Sequence, residues 1–353
     1  MQHRLAAVVV FLGLAPGWGL WASAGAAAEK AAPAKSAARA EAPKPVKEEP
    51  LDKVMGDYVG SFVPASGAEA RAEAKIVAEG GGSYRAVLLW AAADGKPARV
   101  ELAGRGDEKK VSLAGKAGDV EWTGAIEEGK LAAQSKDGKV EARFTVRKSP
   151  TEGAKPPPGA VVLLPYEEGK PPSLDEWTNA AWQTAPDGSM TVSKGDNFTK
   201  RPFGDFRLHL EFRIPFEPGG KGQGRGNSGV YIFNLYEIQI LDSFGVAPEA
   251  HQCGAVYTQT PPKENACFPP GAWQTYDITF QAAKFDAEGK KTKDAAVTVI
   301  QNGVKVQDQT VIKGPTGAAR GRAEVKAGPI KLQDHQHPVR YRNIWIVEPK
   351  DAL

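Results

Sequence analysis

The stretch GNSGVYIFNLYEIQILDSFG, residues 226–245, contains the alternation of polar and apolar residues that decides the fold. Glu237 and Gln239 are two residues apart, and residues two apart share one face of a β-strand. The opposite face of the same strand carries Tyr236, Ile238 and Ile240. The pattern predicts a strand with its apolar face on a core and its polar face towards a cleft or solvent.

The same period continues through the second half of the chain. Residues 206–214, FRLHLEFRI, alternate apolar and polar side chains, and a final strand is expected near residues 339–347. Asn302-Gly303 lies between two strand-like runs, which is a strong hairpin signal. No long helical pattern competes. The sequence therefore predicts an all-β chain with a two-sheet, jelly-roll sandwich in this region.

The first half of the chain contains short alternating segments separated by turn signals such as Asp94-Gly95. They predict a small antiparallel barrel or sandwich at residues 51–149. The stretch TEGAKPPPG is typical of a proline-rich linker, which we place at residues 150–159. The sandwich domain then occupies residues 160–353.

The amino terminus indicates export. Arg4 is followed by a short apolar run and then by small residues, so residues 1–28 are expected to be a cleaved signal peptide. An uncleaved anchor is the alternative, but Pro16-Gly17 interrupts the apolar run. Residues 29–50 are mostly Ala, Lys, Pro and Glu and predict a disordered tether. We expect a periplasmic or extracellular protein with no membrane span after cleavage.

Charge and composition limit the partners. The chain has 45 Lys and Arg against 42 Asp and Glu, a formal net charge of +3. A phosphate backbone requires a larger positive excess, so no nucleic-acid partner is expected. The sequence contains 39 glycines and 27 prolines, which favours turns over long helices.

Cys253 and Cys267 are the two cysteines of the chain. In an exported protein such a pair is expected to form a disulfide, which would stabilise the fold by roughly 3 kcal/mol in the chain-entropy model. The alternative is a pair of buried thiols. Two cysteines alone do not make a zinc site.

Two carboxylates near the central strand suit acid/base chemistry on a sugar. Asp242 follows Glu237 by five residues and would lie on the opposite face of a regular strand, unless a bulge near Leu241 returns it. The alternative is an ordinary wet strand face with a turn aspartate. The spacing resembles the E-x-D-x-x-E strand of family 16 glycoside hydrolases, with Gln239 in place of the central acid.

Several motifs in order resemble the 3-keto-disaccharide hydrolase domain family, over roughly residues 160–350. The motifs are GNSGVYIFNLYEIQILDS, CGAVYTQTPP, Trp273 to Phe280, Gln301-Asn-Gly303, Ile330 to His335 and Arg342-Asn-Ile-Trp345. The resemblance implies a concanavalin A-like sandwich that acts on glycosides oxidised at C3 of the sugar. A ketone at C3 acidifies the C2 proton, so a base can remove it and the group at C1 can leave before water adds. This chemistry needs a base, a group that stabilises the enolate and an acid.

The resemblance also implies roles for individual residues. We expect Glu237 and Asp242 to be the acid and base, and Gln239 to position a hydroxyl or the ketone. His335 is the third expected catalytic residue, as a donor to the developing oxyanion, although it is alternatively a turn histidine. Further substrate-binding residues are expected to be Asn227, Lys200, Gln333 and Arg342, of which Arg342 is alternatively the partner of a structural carboxylate.

No cofactor follows with certainty, and a divalent metal ion is an alternative stabiliser of the oxyanion. His335 and His337 would share a strand face, but spacing identifies no third ligand. The expected partner is a 3-keto-glycoside or another carbohydrate. A noncatalytic lectin-like or cell-surface module is the alternative function, because sandwiches of this kind also serve as lectins.

Overall fold

The computed structural model describes residues 50–349, and its regular structure consists of strands and two short 3₁₀ turns. The all-β prediction is confirmed. The predicted signal peptide at residues 1–28 and the predicted tether at residues 29–50, apart from Pro50, lie outside the described residues. Within them, no helix combines the length and the apolar character that crossing a bilayer requires.

Eight strands of the first half form a closed antiparallel barrel. They are Gly56–Pro64 (β1), Ala70–Gly80 (β2), Ser83–Ala91 (β3), Pro97–Gly106 (β4), Lys110–Ala117 (β5), Val120–Glu127 (β6), Lys130–Ser135 (β7) and Gly138–Thr145 (β8). Each strand pairs with the next, and β1 also pairs with β8. A Cβ atom at Gly60 would lie 1.9 Å from the backbone oxygen of Glu141, so this close approach of β1 to β8 requires glycine. The prediction of a barrel or sandwich is thereby resolved as a barrel.

The second half of the chain contains fourteen strands within the described residues. They are Val161–Leu164 (β9), Gln183–Thr184 (β10), Met190–Thr191 (β11), Asn197–Phe198 (β12), Phe206–Arg213 (β13), Asn227–Ile232 (β14), Tyr236–Leu241 (β15), Trp273–Gln281 (β16), Lys284–Phe285 (β17), Lys291–Lys293 (β18), Ala295–Gln301 (β19), Val304–Ile312 (β20), Ile330–Leu332 (β21) and Arg340–Val347 (β22). The 3₁₀ turns are Gly222–Gly224 and Gly317–Ala319.

Two sheets build the sandwich. The large sheet has the order β10-β11-β22-β13-β16-β19-β20, with β9 paired to β22, and the small sheet has the order β12-β21-β14-β15. Their inner faces share one core, to which Leu210 and Phe212 of the large sheet and Ile238 and Ile240 of the small sheet contribute. The predicted jelly-roll sandwich is confirmed, and Asn302-Gly303 forms the expected turn between β19 and β20.

The barrel and the sandwich contact each other within one compact unit that includes residues 50–349. Arg85 and Arg99 of the barrel both donate hydrogen bonds to the backbone oxygen of Gly245. The segment predicted as a linker is bonded to the large sheet: the Gly153 amide donates to Glu211, and the Asn343 side chain donates to the Ala154 oxygen. The proline-rich stretch therefore connects the two modules while packing on one of them.

The predicted disulfide is wrong in this structure, because Cys253 and Cys267 are free and buried. The Cys253 sulfur lies 3.1 Å from the Tyr276 hydroxyl, and the Cys267 thiol donates to the Leu241 oxygen at 3.6 Å. Both residues belong to the sandwich core. They act there as small apolar side chains, which was the alternative interpretation of the pair.

Candidate active site

Three neighbouring strands of the small sheet place the candidate site. Tyr231 of β14 lies directly opposite Glu237 of β15 and Lys331 of β21. Gly229 lies opposite Gln239, and the Gln333 amide donates to the Gly229 oxygen. Because residues two apart on a strand share a face, the side chains at these paired positions project from the same side of the sheet. We call this side the polar face and define it by Asn227, Gly229, Tyr231, Glu237, Gln239, Lys331 and Gln333.

The other side of the same strands is apolar and belongs to the core, as the alternation predicts. Val230, Ile238 and Ile240 are fully buried there. The alternative of an ordinary wet strand face does not hold, however, because Glu237 is only 2% exposed and Gln239 1% exposed.

Two segments cover the polar face. The Tyr257 backbone amide donates to the backbone oxygen of Glu237, and the backbone of Gln239 is hydrogen-bonded to residues 254 and 255. The Thr316 hydroxyl accepts from the Glu237 amide at 2.8 Å, and a Cβ at Gly317 would lie 3.5 Å from Glu237 Oε2. Neither segment is adjacent in sequence to β15, so the periodicity of the strand could not reveal its burial.

Burial dominates the chemistry of Glu237. It raises the pKa of the carboxyl from 4.5 to about 7, against the opposing effects of the Tyr231 hydrogen bond and the Lys331 charge. The nearby charge of Asp196 adds to the rise. A carboxyl with a pKa near neutrality can both take and return a proton at physiological pH.

A cation and a phenol lie beside this carboxyl. The Lys331 ammonium sits 3.7 Å from the centroid of the Tyr231 ring and 3.0 Å from Asp196 Oδ2. Burial and the Glu237 charge raise the pKa of Tyr231, so its hydroxyl remains a hydrogen-bond donor. Together these groups could stabilise negative charge that develops on a bound substrate.

Four buried acceptor atoms of the polar face have no hydrogen-bond partner among residues 50–349. They are Asn227 Oδ1, Glu237 Oε2, Gln239 Oε1 and Gln333 Oε1. Only two other buried side-chain atoms in this described range lack a partner, so the unsatisfied groups are concentrated here. Buried polar groups are normally paired, and such a concentration is typical of a surface that binds a polar ligand. Asn227, Gln239, Gln333 and Glu237, all predicted from the sequence, are thus brought together.

Asp242 does not join them, so its role as the acid/base partner of Glu237 stays a prediction that its contacts do not support. Its Oδ2 lies 2.6 Å from Nε of Arg225, and Oδ1 accepts from the Phe244 amide. It lines a cavity of about 390 Å³ together with Val77 of the barrel. Burial raises the pKa of Asp242, while the Arg225 charge opposes the rise. The carboxylate is committed to a structural ion pair.

Arg342 and His335 also lie apart from the polar face. Arg342 belongs to the large sheet, where Nε donates to Glu211 at 2.7 Å and the guanidinium lies 4.0 Å from the Trp273 ring centroid. These contacts favour the structural alternative for Arg342, and substrate binding by it stays a prediction. His335 is exposed and stacks on His337, with ring centroids 6.0 Å apart, so its predicted catalytic role is not supported by any contact with Glu237 in the described part of the chain.

Lys200 is exposed and follows β12, and residues 50–349 show no contact between its side chain and the polar face. Its role in substrate binding stays a prediction. In the same range no group of three or more His, Cys, Asp or Glu side chains could hold a metal ion. His337, the second member of the histidine pair, has its Nδ1 2.6 Å from Glu217 Oε2.

Sequence reasoning missed three residues of the site. Lys331 precedes the predicted Gln333 by two residues, and Tyr231 follows the predicted Asn227 by four, so strand periodicity could have found both. Gln223 is the third; its Oε1 accepts from Gln239 Nε2 at 3.0 Å. It lies in a glycine-rich loop, where no periodicity applies.

Two crystal structures from Parabacteroides distasonis, each titled a "putative glycosyl hydrolase", are similar to the chain. The first has 39% identity and a TM-score of 0.48 over 54% of this chain and 84% of the other. The second has 19% identity and a TM-score of 0.39 over 53% and 93%.

A search of curated proteins found no match. The sequence profile of the 3-keto-alpha-glucoside-1,2-lyase-like domain, by contrast, matches residues 159–347, more than half of the chain. That range contains both sheets of the sandwich and every residue of the polar face. The chain therefore belongs to the 3-keto-alpha-glucoside-1,2-lyase-like family, a carbohydrate-processing family.

Proposed function

We propose that the protein cleaves glycosides whose sugar carries a ketone at C3, with Glu237 as the proton-transfer group. The observation that carries the proposal is a buried carboxyl with a pKa of about 7 on a face rich in unsatisfied acceptors. Family membership supports the substrate class. The ketone matters because it lowers the pKa of the C–H bond at C2, so that a carboxylate can remove the proton.

In the proposed reaction the Glu237 carboxylate takes the C2 proton, and the electrons of the C–H bond form an enolate with the C3 oxygen. The enolate then re-forms the ketone and expels the oxygen at C1, which leaves a double bond between C1 and C2. The departing oxygen receives the proton that Glu237 has taken, which restores the carboxylate. Water finally adds its hydroxyl to C1 and its proton to C2, so the sum of the steps is hydrolysis.

Other groups of the polar face would support these steps. Lys331 and the Tyr231 hydroxyl would stabilise the charge on the enolate oxygen. The free acceptors of Asn227, Gln239 and Gln333 would receive hydrogen bonds from sugar hydroxyls. This reaction forms no covalent bond between enzyme and sugar. A second carboxylate is therefore not required at the centre of the strand, where the chain has Gln239.

The test is release of the chromophore from a chromogenic 3-keto-glucoside by the wild type and by Glu237→Gln. We expect the variant to lose at least about 100-fold in kcat, since proton transfer by a positioned group contributes that much. In the wild type, kcat/KM should rise with pH through about 7, as Glu237 loses its proton.

Glu249→Gln is the matched control, because Glu249 is exposed on the loop that follows β15, and it should behave like the wild type. Binding of the sugar without any release by the wild type would contradict the proposal and favour the lectin-like alternative.

A further inference from the structure

The glycine-rich loop at residues 217–226 contacts both the barrel and the polar face. Five of the nine residues from Pro218 to Gly226 are glycine. Glycine loses more backbone entropy on ordering than any other residue, so this loop is fixed only if contacts outside it hold it in place.

Gln223, at the centre of the loop, holds two residues of the polar face. Its Oε1 accepts from Gln239 Nε2 at 3.0 Å and from Asn227 Nδ2 at 3.1 Å. Asn227 Nδ2 also donates to the backbone oxygen of Gln223 at 2.8 Å. Two hydrogen bonds therefore join Asn227 to Gln223, and one joins Gln239 to it. In consequence, Gln223 fixes the orientation of both amides, whose oxygens have no hydrogen-bond partner among residues 50–349.

Arg225 ties the same loop to the barrel. Its guanidinium donates to the backbone oxygen of Ala78, in β2, at 3.0 Å, and to the Pro218 oxygen at 3.3 Å. The same group pairs with Asp242 at 2.6 Å. Arg225 is 8% exposed and Asp242 7% exposed, so these bonds are largely protected from solvent. A second anchor is Glu217, which accepts from the Gly226 amide at 2.8 Å.

We propose that Gln223 is a positioning residue of the candidate site and that the barrel, through Arg225, holds it in place. The barrel is thus part of the substrate-binding apparatus, although it lies outside the matched domain and contributes no residue to the polar face. This inference rests on the proposed function, since it concerns the affinity of the same site for its sugar.

The first test compares KM and kcat of Gln223→Ala, Gln239→Ala and the double variant on the chromogenic 3-keto-glucoside. Loss of one hydrogen-bonded partner corresponds to about tenfold in affinity, so each single variant should raise KM about tenfold with little change in kcat. The double variant should raise KM by less than the product of the two single effects, because both substitutions break the Gln223–Gln239 hydrogen bond, whereas the bond from Asn227 to the Gln223 side chain is lost only with Gln223→Ala. Lys221→Ala, exposed in the same loop, is the matched control and should leave KM unchanged.

The second test addresses the barrel with Arg225→Gln combined with Asp242→Asn. This pair removes both buried charges together, which avoids leaving one of them unpaired, and it keeps an acceptor for the Phe244 amide. Thermal unfolding confirms that the variant is folded. We expect the same rise in KM as for Gln223→Ala, with kcat near that of the wild type.

The outcomes separate the two proposals. If the wild type releases no chromophore, the proposed function fails, and this inference fails with it. If the wild type is active but Gln223→Ala leaves KM unchanged, or if the effects of Gln223→Ala and Gln239→Ala multiply in the double variant, only the positioning role is overturned. An unchanged KM in folded Arg225→Gln/Asp242→Asn overturns the role of the barrel, and a loss of kcat there as large as that of Glu237→Gln would instead make Asp242 catalytic.

Discussion

Glu237 sits under two covering segments with one carboxylate oxygen unpaired, and this arrangement costs stability at neutral pH. The pKa is 4.5 without burial and about 7 in the folded protein, so the folded state binds the proton more tightly than the unfolded state does. Between these values the free energy of unfolding falls as pH rises, and the loss is complete once pH exceeds the folded-state pKa.

Glu237→Gln should therefore be more stable than the wild type at pH 8, by about 3 kcal/mol at most, because glutamine has no proton to lose. Below pH 4.5 the two proteins should unfold at nearly the same temperature. Thermal unfolding at both pH values measures the difference. If Glu237→Gln were destabilised equally at both pH values, burial of the ionised Glu237 carboxylate would not be the cause of the difference from the wild type.

The two thiols give a second prediction at this scale. Purified protein, denatured without reductant, should present two titratable thiols per chain, since Cys253 and Cys267 are free in the core. Detection of none would restore the disulfide that the export signal led us to expect. Wild type reduced before denaturation is the control for full reactivity.

At the scale of single elements, β14 shows how a missing side chain shapes the site. A Cβ atom at Gly229 would lie 2.5 Å from Glu237 Oε1, which is too close for both to keep their positions. The carboxylate therefore occupies the space above this glycine.

Gly229→Ala should displace the Glu237 carboxylate and lower kcat/KM about 100-fold, because a shift of about 1 Å in a reacting group can have that effect. Assays on the 3-keto-glucoside measure the loss, and circular dichroism should show an intact sandwich. Gly219→Ala, which meets no atom within 4 Å, is the control. Full activity of Gly229→Ala would mean that Glu237 need not remain where the structure has it.

The position of a site residue was predictable where the sequence pattern of its own strand was sufficient to assign it to a face. The period of two assigned Glu237 and Gln239 to one face, and the resemblance added Asn227 and Gln333. The sequence could not place residues whose deciding partner is distant along the chain: Asp242 pairs with a residue 17 positions away, and Arg342 with one 131 positions away. Periodicity within a strand carries no information about such pairs.

The whole molecule depends on contacts between barrel and sandwich. Arg85→Ala combined with Arg99→Ala would remove both donors to the Gly245 oxygen and weaken that interface. We expect differential scanning calorimetry to show a transition lowered by a few degrees and broadened or split, as the modules unfold less cooperatively. Arg105→Ala, an exposed change on the same barrel, should leave the transition unaltered. An unchanged profile for the double variant would mean that other contacts couple the modules.

Closure of the barrel by the pairing of β1 with β8 has a consequence for behaviour at high concentration. A ring of paired strands offers no row of free peptide groups to which a strand of another molecule could add, so the barrel is protected against strand-mediated aggregation. The large sheet is different because it ends at β20, where the exposed Lys305 and Asp308 place charges along the last strand. Such charges are a common defence of sheet edges, so this edge too is protected against the addition of a strand from another molecule.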